Sequence, residues 1–151
     1  MNLEAKSIII RDQIEGDLEA LKVIAEEPAV KKYFTEADLA DMQVIVLKEQ
    51  GTVLGAIALN EHPDLHEKQI VYFLSDAFKG CGYTKEAVKA LSDEALKCKD
   101  IPYVIIVADE GNASQQRVAE KTGFGLYEKR VSVAERLTGV TTEVYLYFRK
   151  Y

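Results

Sequence analysis

Residues 75–87 read SDAFKGCGYTKEA and lie between the apolar segment IVYFL and a charged segment that contains alanine. Two glycines, Gly80 and Gly82, flank Cys81 where the chain is predicted to pass from a strand into a helix. A helix start reached through glycine presents unpaired N–H groups at the positive end of the helix dipole. The stretch therefore predicts an α/β fold with a phosphate or diphosphate site. The alternative interpretation is a tight connection that uses glycine only for its turn.

Outward from this loop, hydrophobic periodicity predicts the order β, α, β-hairpin, β, α, β, α, β-hairpin. Strands are predicted over 7–11, 43–48, 53–59, 68–74, 103–108, about 125–134 and 142–149. Helices are predicted from Asp12 to before Pro28, over about 83–99 and from Asn112 to Gly123, with one or two short helices in between at 26–42. Capping-box patterns at Asp12–Glu15 and Asn112–Gln115 support two of these helix starts. The uninterrupted apolar run at 103–108 is typical of a parallel strand covered on both faces.

The composition limits the class of protein. A chain of 151 residues that is 48% hydrophobic predicts a single domain over 1–151. A net charge of −6 without an extended basic block argues against nucleic acid or an anionic membrane as partner, and suits cationic small partners better. We expect a cytoplasmic protein, because the N-terminus lacks a signal-peptide pattern. Cys81 and Cys98 flank one predicted helix about 25 Å long, so we expect free thiols.

Two common nucleotide-binding motifs do not account for the loop. The dinucleotide fingerprint needs a third glycine where this chain has Lys85, and it normally occupies the first βα turn. The Walker pattern is also missing. These exclusions leave a diphosphate held by a shorter loop. Binding of NAD or ATP through this loop stays an alternative to test.

The loop resembles the acyl-coenzyme A loop of the GNAT acetyltransferase superfamily. IVYFLSDAFKGCGYTKEAVKAL at 70–91 is similar to its pattern of Gln or Arg, two residues, Gly, one residue, and Gly or Ala. NASQQRVAEKTGFGLYEK at 112–129 resembles the family's following helix, within the branch that acetylates ribosomal-protein N-termini and related amines. Lys79 replaces the usual Gln or Arg, and Thr84 replaces the final Gly or Ala. Thr84 could narrow the pocket or donate its hydroxyl to a phosphate.

The resemblance implies a fold and a cofactor. It implies a mixed, mostly antiparallel sheet whose one parallel βαβ pair splays apart to admit acetyl-CoA as co-substrate, and no metal. Main-chain groups of two strand residues should pair with the pantetheine arm, the loop should hold the diphosphate, and a helix-capping Asn should bond the arm. The implied cofactor-binding residues are Phe73, Leu74, Lys79, Gly80, Cys81, Gly82, Tyr83, Thr84 and Asn112.

The chemistry of acetyl transfer needs a neutral amine and a stabilised oxyanion. Deprotonating a lysine-like amine at pH 7 costs roughly 4.6 kcal/mol, whereas an α-amino group costs only about 1 kcal/mol. A backbone N–H near Phe73 could hold the oxyanion. The tyrosine that many relatives use as acid is Ala119 here, and a frequent acidic strand residue is Gln69. The catalytic hypothesis is therefore Ser114 as acid and Glu67, acting through water, as base, although both also fit ordinary solvated positions.

Other features stay open. His62 and His66, with Asp64 and Glu67, could form a metal cluster, but a flexible polar loop is the more common explanation. The segments at about 26–42, with Tyr33 and Phe34, and at 60–68 are expected to face the acceptor. The predicted function is acetyl transfer to a protein or peptide N-terminus or a small amine, with a homodimer possible. The alternative is a catalytically weak acyl-CoA-binding module.

Overall fold

The computed structural model describes residues 2–31, 33–62, 65–136 and 139–151. The strands are β1 Asn2–Glu4, β2 Ile8–Arg11, β3 Gln43–Leu47, β4 Val53–Glu61, β5 Lys68–Leu74, β6 Val104–Asp109, β7 Gly125–Arg136 and β8 Gly139–Lys150. The helices are α1 Asp17–Ala25, α2 Glu36–Ala40, α3 Tyr83–Ala95 and α4 Ala113–Lys121, and Asp76–Phe78 forms a 3₁₀ turn.

The strands form one sheet in the order β1-β2-β3-β4-β5-β6-β8-β7. Every neighbouring pair is antiparallel except β5 and β6, which are parallel and joined through α3. This arrangement confirms the predicted α/β fold with a mixed, mostly antiparallel sheet and one parallel pair. A crossover through a helix is what parallel neighbours require.

Helices cover both faces of the sheet, and each face has its own apolar core. On one face α3 and α4 pack over residues such as Ile57, Ile106 and Phe148. On the other face α1 and α2 pack over β3, β4 and β5, with Leu21 and Phe73 among the buried side chains. Each large side chain removed from water in this way contributes about 1.5–3 kcal/mol. The two cores fix where β5 and β6 end, and therefore where their connecting loops lie.

The predicted start of the first helix is wrong. The helix begins at Asp17 rather than Asp12, after Gly16 in a left-handed conformation with φ +92°. The Asp17 carboxylate accepts hydrogen bonds from Arg11 Nη1 at 2.6 Å and from the Ile14 N–H at 2.8 Å. This bridge holds the connecting segment in a turn and leaves Ile14 64% exposed. The helix starts late because the Asp17 side chain bonds the backbone of residue 14 and so competes with helix formation before residue 17.

Other boundaries moved by a few residues. The helix α3 ends at Ala95 rather than near residue 99, so Cys98, which its spacing placed on the apolar face of the predicted helix, is exposed. Strand β1 was not predicted, and β7 and β8 are longer than predicted. Residues 137 and 138, which lie between the last two predicted strands, are outside the described residues. Within the described part of the chain, no helix has the length and apolar character needed to cross a membrane.

Candidate functional site

The Gly-x-Gly loop enters α3 through two left-handed glycines. Gly80 has φ +82° and Gly82, which caps the helix, has φ +81°. No atom lies within 4 Å of where a Cβ on either glycine would be, so the space beside the loop is open. An L-residue in this conformation costs about 1–2 kcal/mol, which is the physical reason for glycine at both positions.

The main-chain N–H groups of residues 80–85 bond no acceptor among the described residues. The first N–H of this region with a backbone partner is that of Glu86, which donates to the Gly82 carbonyl at 3.2 Å. No side chain caps the helix start. Lys79 and Lys85 are exposed on either side of the loop. The loop therefore has the free donors, the helix dipole and the positive charge that bind a diphosphate.

Two carboxylates fix the ends of this loop to the rest of the protein. Glu27, which follows α1, accepts hydrogen bonds from the Ser75 hydroxyl at 2.7 Å and from the Asp76 N–H at 2.8 Å. Glu86, in the first turn of α3, accepts one from the Ser7 N–H at 2.7 Å. Charge-assisted bonds of this kind are stronger than neutral ones, so the loop is held in place before any ligand arrives.

The two parallel strands separate beside the loop. Gln69 and Ile105 form their one register pair among the described residues, and the strands diverge toward their carboxyl ends. Strand β5 pairs with β4 over its full length, and the two backbones approach closely at Gly55 because this residue has no side chain. A Cβ on Gly55 would lie 2.0 Å from the Phe73 carbonyl oxygen. Beyond the Gln69–Ile105 pair no register pair joins β5 and β6 among the described residues, and this unpaired stretch, called the gap below, lies toward the Gly-x-Gly loop.

A small cavity opens on the opposite face of β5 from α3. It has a volume of about 160 Å³, and its lining residues are Tyr33, Phe34, Asp38, Met42, Asn60 and Val71. Five of these belong to the two segments predicted to face the acceptor, 26–42 and 60–68. The Tyr33 hydroxyl also donates to Asp109 Oδ2, at 3.5 Å, at the end of β6. A larger cavity of about 460 Å³ borders Tyr83 on the side of β2 and β3.

The start of α4 places Asn112 beside the end of β6. Its Oδ1 accepts the Gln115 N–H at 3.0 Å, which confirms the predicted cap. Gln115 in turn donates from Nε2 to the Val107 carbonyl at 3.1 Å and ties α4 to β6. Ser114 is exposed in the first turn, and Ala119 is fully buried against the sheet. The position that carries a tyrosine in many relatives is therefore inside the core here.

Glu67 lies at the other end of the parallel pair. Its Oε2 is 3.4 Å from Arg149 Nη2, and both side chains are largely buried. The Arg149 guanidinium lies 4.1 Å from the Tyr103 ring centroid and 3.5 Å from that of Tyr127. Burial and the hydrogen bond with Glu67 raise the pKa of Tyr103. Glu67 directly precedes β5 and Ser114 follows the end of β6, so the two residues lie at opposite ends of the parallel pair.

The histidines and cysteines do not cluster. Among the described residues no group of three or more His, Cys, Asp or Glu side chains could hold a metal ion. Asp64, which the sequence placed with His62 and His66, lies outside the described residues. Cys81 and Cys98 are both free thiols, as predicted, and both are exposed.

Sequence reasoning missed a polar group next to the splayed strands. The Tyr72 hydroxyl on β5 is buried and has no hydrogen-bond partner among the described residues. Burial raises the pKa of this phenol far above its ordinary value, so it stays neutral. The apolar context IVYFL favours a core tyrosine, and no local pattern reports that its hydroxyl lacks a partner.

Comparison with known proteins shows which protein family this chain belongs to. The mixed sheet has one parallel pair, whose first strand is followed by a helix that begins at a glycine-rich loop. Residues 7–125 match the acetyltransferase (GNAT) domain. The chain belongs to the GNAT acetyltransferase family, whose members use acetyl-CoA. It is an acyltransferase.

Individual relatives are distant in sequence and close in fold. An uncharacterised N-acetyltransferase of Bacillus subtilis, YnaD, is 22% identical over 148 residues, which cover 85% of this chain and 87% of that protein. An acetyltransferase of the GNAT family from Bacillus anthracis has a TM-score of 0.83 at 21% identity and 99% and 97% coverage of the two chains. RimL, a ribosomal-protein alpha-N-acetyltransferase solved with coenzyme A, has a TM-score of 0.72 at 14% identity and 99% and 97% coverage.

Proposed function

We propose that this protein transfers acetyl from acetyl-CoA directly to a primary amine, either the N-terminus of a protein or peptide or a small amine. The observation that carries the proposal is the row of unbonded N–H groups at 80–85 beside two strands that diverge. Such donors bind a diphosphate, and a gap between strands can admit an extended arm. The fold family supports acetyl-CoA as the molecule that has both parts.

The residues at the site fit this co-substrate. The N–H groups from Gly80 through Cys81, Gly82 and Tyr83 to Thr84 would hold the diphosphate, with Lys79 adding positive charge. Main-chain groups of Phe73 and Leu74 would pair with the pantetheine arm, and Asn112 would donate from its amide. Acetyl-CoA would supply the acetyl group as a thioester.

The position of the small cavity favours direct transfer. The cavity and the face covered by α3 lie on opposite sides of β5, because successive residues of a strand point to opposite faces. An amine entering past Tyr33 would meet the co-substrate across this strand, and no covalent enzyme intermediate is required.

The acceptor class follows from charge and ionisation. Asp38 lines the cavity and Asp109 lies next to Tyr33, so the entrance favours a protonated amine. An α-amino group is the easier nucleophile, because its deprotonation at pH 7 costs about 1 kcal/mol against roughly 4.6 kcal/mol for a lysine. The structural neighbour RimL is an alpha-N-protein acetyltransferase, which agrees with an α-amino acceptor.

Ser114 remains the proposed acid and Glu67 the proposed base. Ser114 is exposed in the first turn of α4, whereas the Glu67 carboxylate is bonded to Arg149 at the opposite end of the parallel pair. Proton transfer to Glu67 must therefore pass through water. Ser114→Ala and Glu67→Gln should each lower kcat about 100-fold while the affinity for coenzyme A stays unchanged. Unchanged kcat in either variant removes that residue from the mechanism.

The function is tested by thiol release from acetyl-CoA with a panel of peptides, polyamines and aminoglycosides. We expect turnover with at least one amine and a new amide detected by mass spectrometry. Coenzyme A binding without turnover on any amine would favour the acyl-CoA-binding module. Tighter binding of NAD or ATP than of coenzyme A, measured by thermal shift, would overturn the assignment of the loop.

A homodimer is proposed from the outer strand of the sheet. The outer edge of β7 pairs with no described strand, and an unpaired edge is a template for another chain. Val131 and Val133 are 61% and 68% exposed on this strand. A two-fold axis at Ser132 would place Val131 opposite Val133 of the second copy, an apolar cross-strand pair.

A further inference from the structure

The buried hydroxyl of Tyr72 is a polar group that the structure leaves without a partner. Its oxygen has almost no solvent contact and no hydrogen bond to any of the described residues. Leaving such a group unsatisfied costs about 1–3 kcal/mol. Natural proteins rarely retain this cost without a ligand, water or functional role that satisfies the group.

Tyr72 lies where the proposed co-substrate must pass. It is in the middle of β5, opposite Ile57 of β4, and packs against the core beneath α3 and α4. It comes after Gln69, the last residue of β5 that is in register with β6, and before Leu74, where the strand meets the loop. A molecule whose diphosphate binds at the start of α3 would extend its arm along this part of the gap.

We infer that the Tyr72 hydroxyl forms a hydrogen bond with a neutral polar group of the pantetheine arm of coenzyme A. The group is neutral because the surroundings of the hydroxyl are apolar and a desolvated charge would be costly there. The phosphates have their own donors at 80–85, farther along the chain. The amide groups of the arm are the chemistry that matches a single buried hydroxyl. This inference rests on the proposed function.

The test is Tyr72→Phe, which removes the hydroxyl and keeps the ring. In the ligand-free protein the change should raise Tm by roughly 2–4 °C, because an unsatisfied polar group is lost. The same variant should bind coenzyme A about fivefold more weakly, measured by calorimetry. Its affinity for 3′-phosphoadenosine 5′-diphosphate, which has no pantetheine arm, should equal that of the wild type. A purely structural tyrosine would give a lower Tm and unchanged affinities.

The matched control is Tyr151→Phe, the same change at a side chain that is 76% exposed and whose hydroxyl accepts a long, exposed hydrogen bond of 3.5 Å from Arg149 Nη1. It should alter neither Tm nor either affinity. Unchanged coenzyme A affinity in Tyr72→Phe overturns the inference, and so does equal weakening of both ligands. These measurements contain no amine, so a failure of acetyl transfer on every acceptor would leave their outcome intact.

A second measurement tests the inference in the case that Tyr72→Phe does not fold. In the wild-type chain with Tyr72 alone labelled with ¹³C at Cζ, coenzyme A should shift the tyrosine signal, and the nucleotide half alone should not. A signal that stays in place with coenzyme A overturns the inference.

Discussion

At the scale of single residues, the site depends on backbone conformations that few side chains tolerate. Gly80 and Gly82 both have positive φ next to open space. Glycine is required there by the main chain rather than by crowding. The free N–H groups can face a ligand only while this conformation is kept.

Gly80→Ala tests this requirement. The strain of about 1–2 kcal/mol should lower Tm and weaken coenzyme A binding about tenfold, measured by thermal denaturation and calorimetry. Gly51→Ala is the matched control, because Gly51 has φ +67°, no neighbour within 4 Å of its Cβ position and a location outside the site. It should lower Tm and leave coenzyme A binding unchanged. Equal loss of binding in both variants would contradict the role of the loop.

The carboxylate of Asp17 gives a pH-dependent prediction. Burial raises the pKa of Asp17, but hydrogen bonds from Arg11 and the Ile14 N–H outweigh it and hold the pKa below its usual 3.8. A lowered pKa stabilises the folded state above the unfolded value, and this contribution is lost as the pH falls through the folded value. Asp17→Asn should therefore be less stable by about 2 kcal/mol at pH 7, measured by urea unfolding.

The difference should shrink as the pH falls below about 4, because protonated Asp17 resembles Asn. Asp100→Asn, at an exposed carboxylate, should match the wild type throughout. A difference between Asp17→Asn and wild type that is constant with pH would rule out the linkage.

At the scale of elements, each end of the Gly-x-Gly connection is joined to a distant part of the chain through a carboxylate, Glu27 at one end and Glu86 at the other. Glu27→Ala should remove the anchor at Ser75 and Asp76. We expect about tenfold weaker coenzyme A binding, because the loop must then be ordered by the ligand. Glu26→Ala is the control, since the Glu26 carboxylate is exposed and forms an ion pair at 3.3 Å with the exposed Lys31. Unaltered binding in Glu27→Ala would show that the loop orders itself.

Two variants of Asn112, at the start of α4, can separate its role as a helix cap from its proposed role in binding coenzyme A. Asn112→Ala should cost about 1 kcal/mol of stability, because the cap on Gln115 is lost. Asn112→Asp keeps an acceptor oxygen at the helix start and should keep the stability. If the Asn112 amide donates to the pantetheine arm, both variants should bind coenzyme A more weakly by calorimetry. Full affinity in Asn112→Asp would reduce Asn112 to a cap.

At the scale of the whole molecule, the outer edge of the sheet determines the expected assembly. A double variant, Val131→Lys with Val133→Lys, would place like charges opposite each other across the proposed two-fold axis, which is destabilising. Sedimentation should show a dimer for the wild type and a monomer for the variant. Val23→Lys, a change at a 74% exposed valine of α1, should remain dimeric. A wild-type chain that is monomeric at all concentrations would refute the proposal.

The sequence alone determined the features whose signals are local. Glycine between a strand and a helix, Asn112 at a helix start and an apolar run at 103–108 can each be interpreted within one turn or one strand, and the structure places them as predicted. The β5 boundaries, Lys68–Leu74, were predicted without error. These features were enough to predict the order of strands and helices, whereas the diphosphate role of the loop stays a prediction.

Only the tertiary structure decided the contacts between residues far apart in sequence. Glu27 reaches Ser75 across 48 residues, and Glu67 reaches Arg149 across 82. The Tyr72 hydroxyl is buried without a partner among the described residues, because its ring packs against the core beneath α3 and α4. Neither a carboxylate's partner nor a hydroxyl's burial is encoded within a turn of the chain, because both depend on which elements pack together.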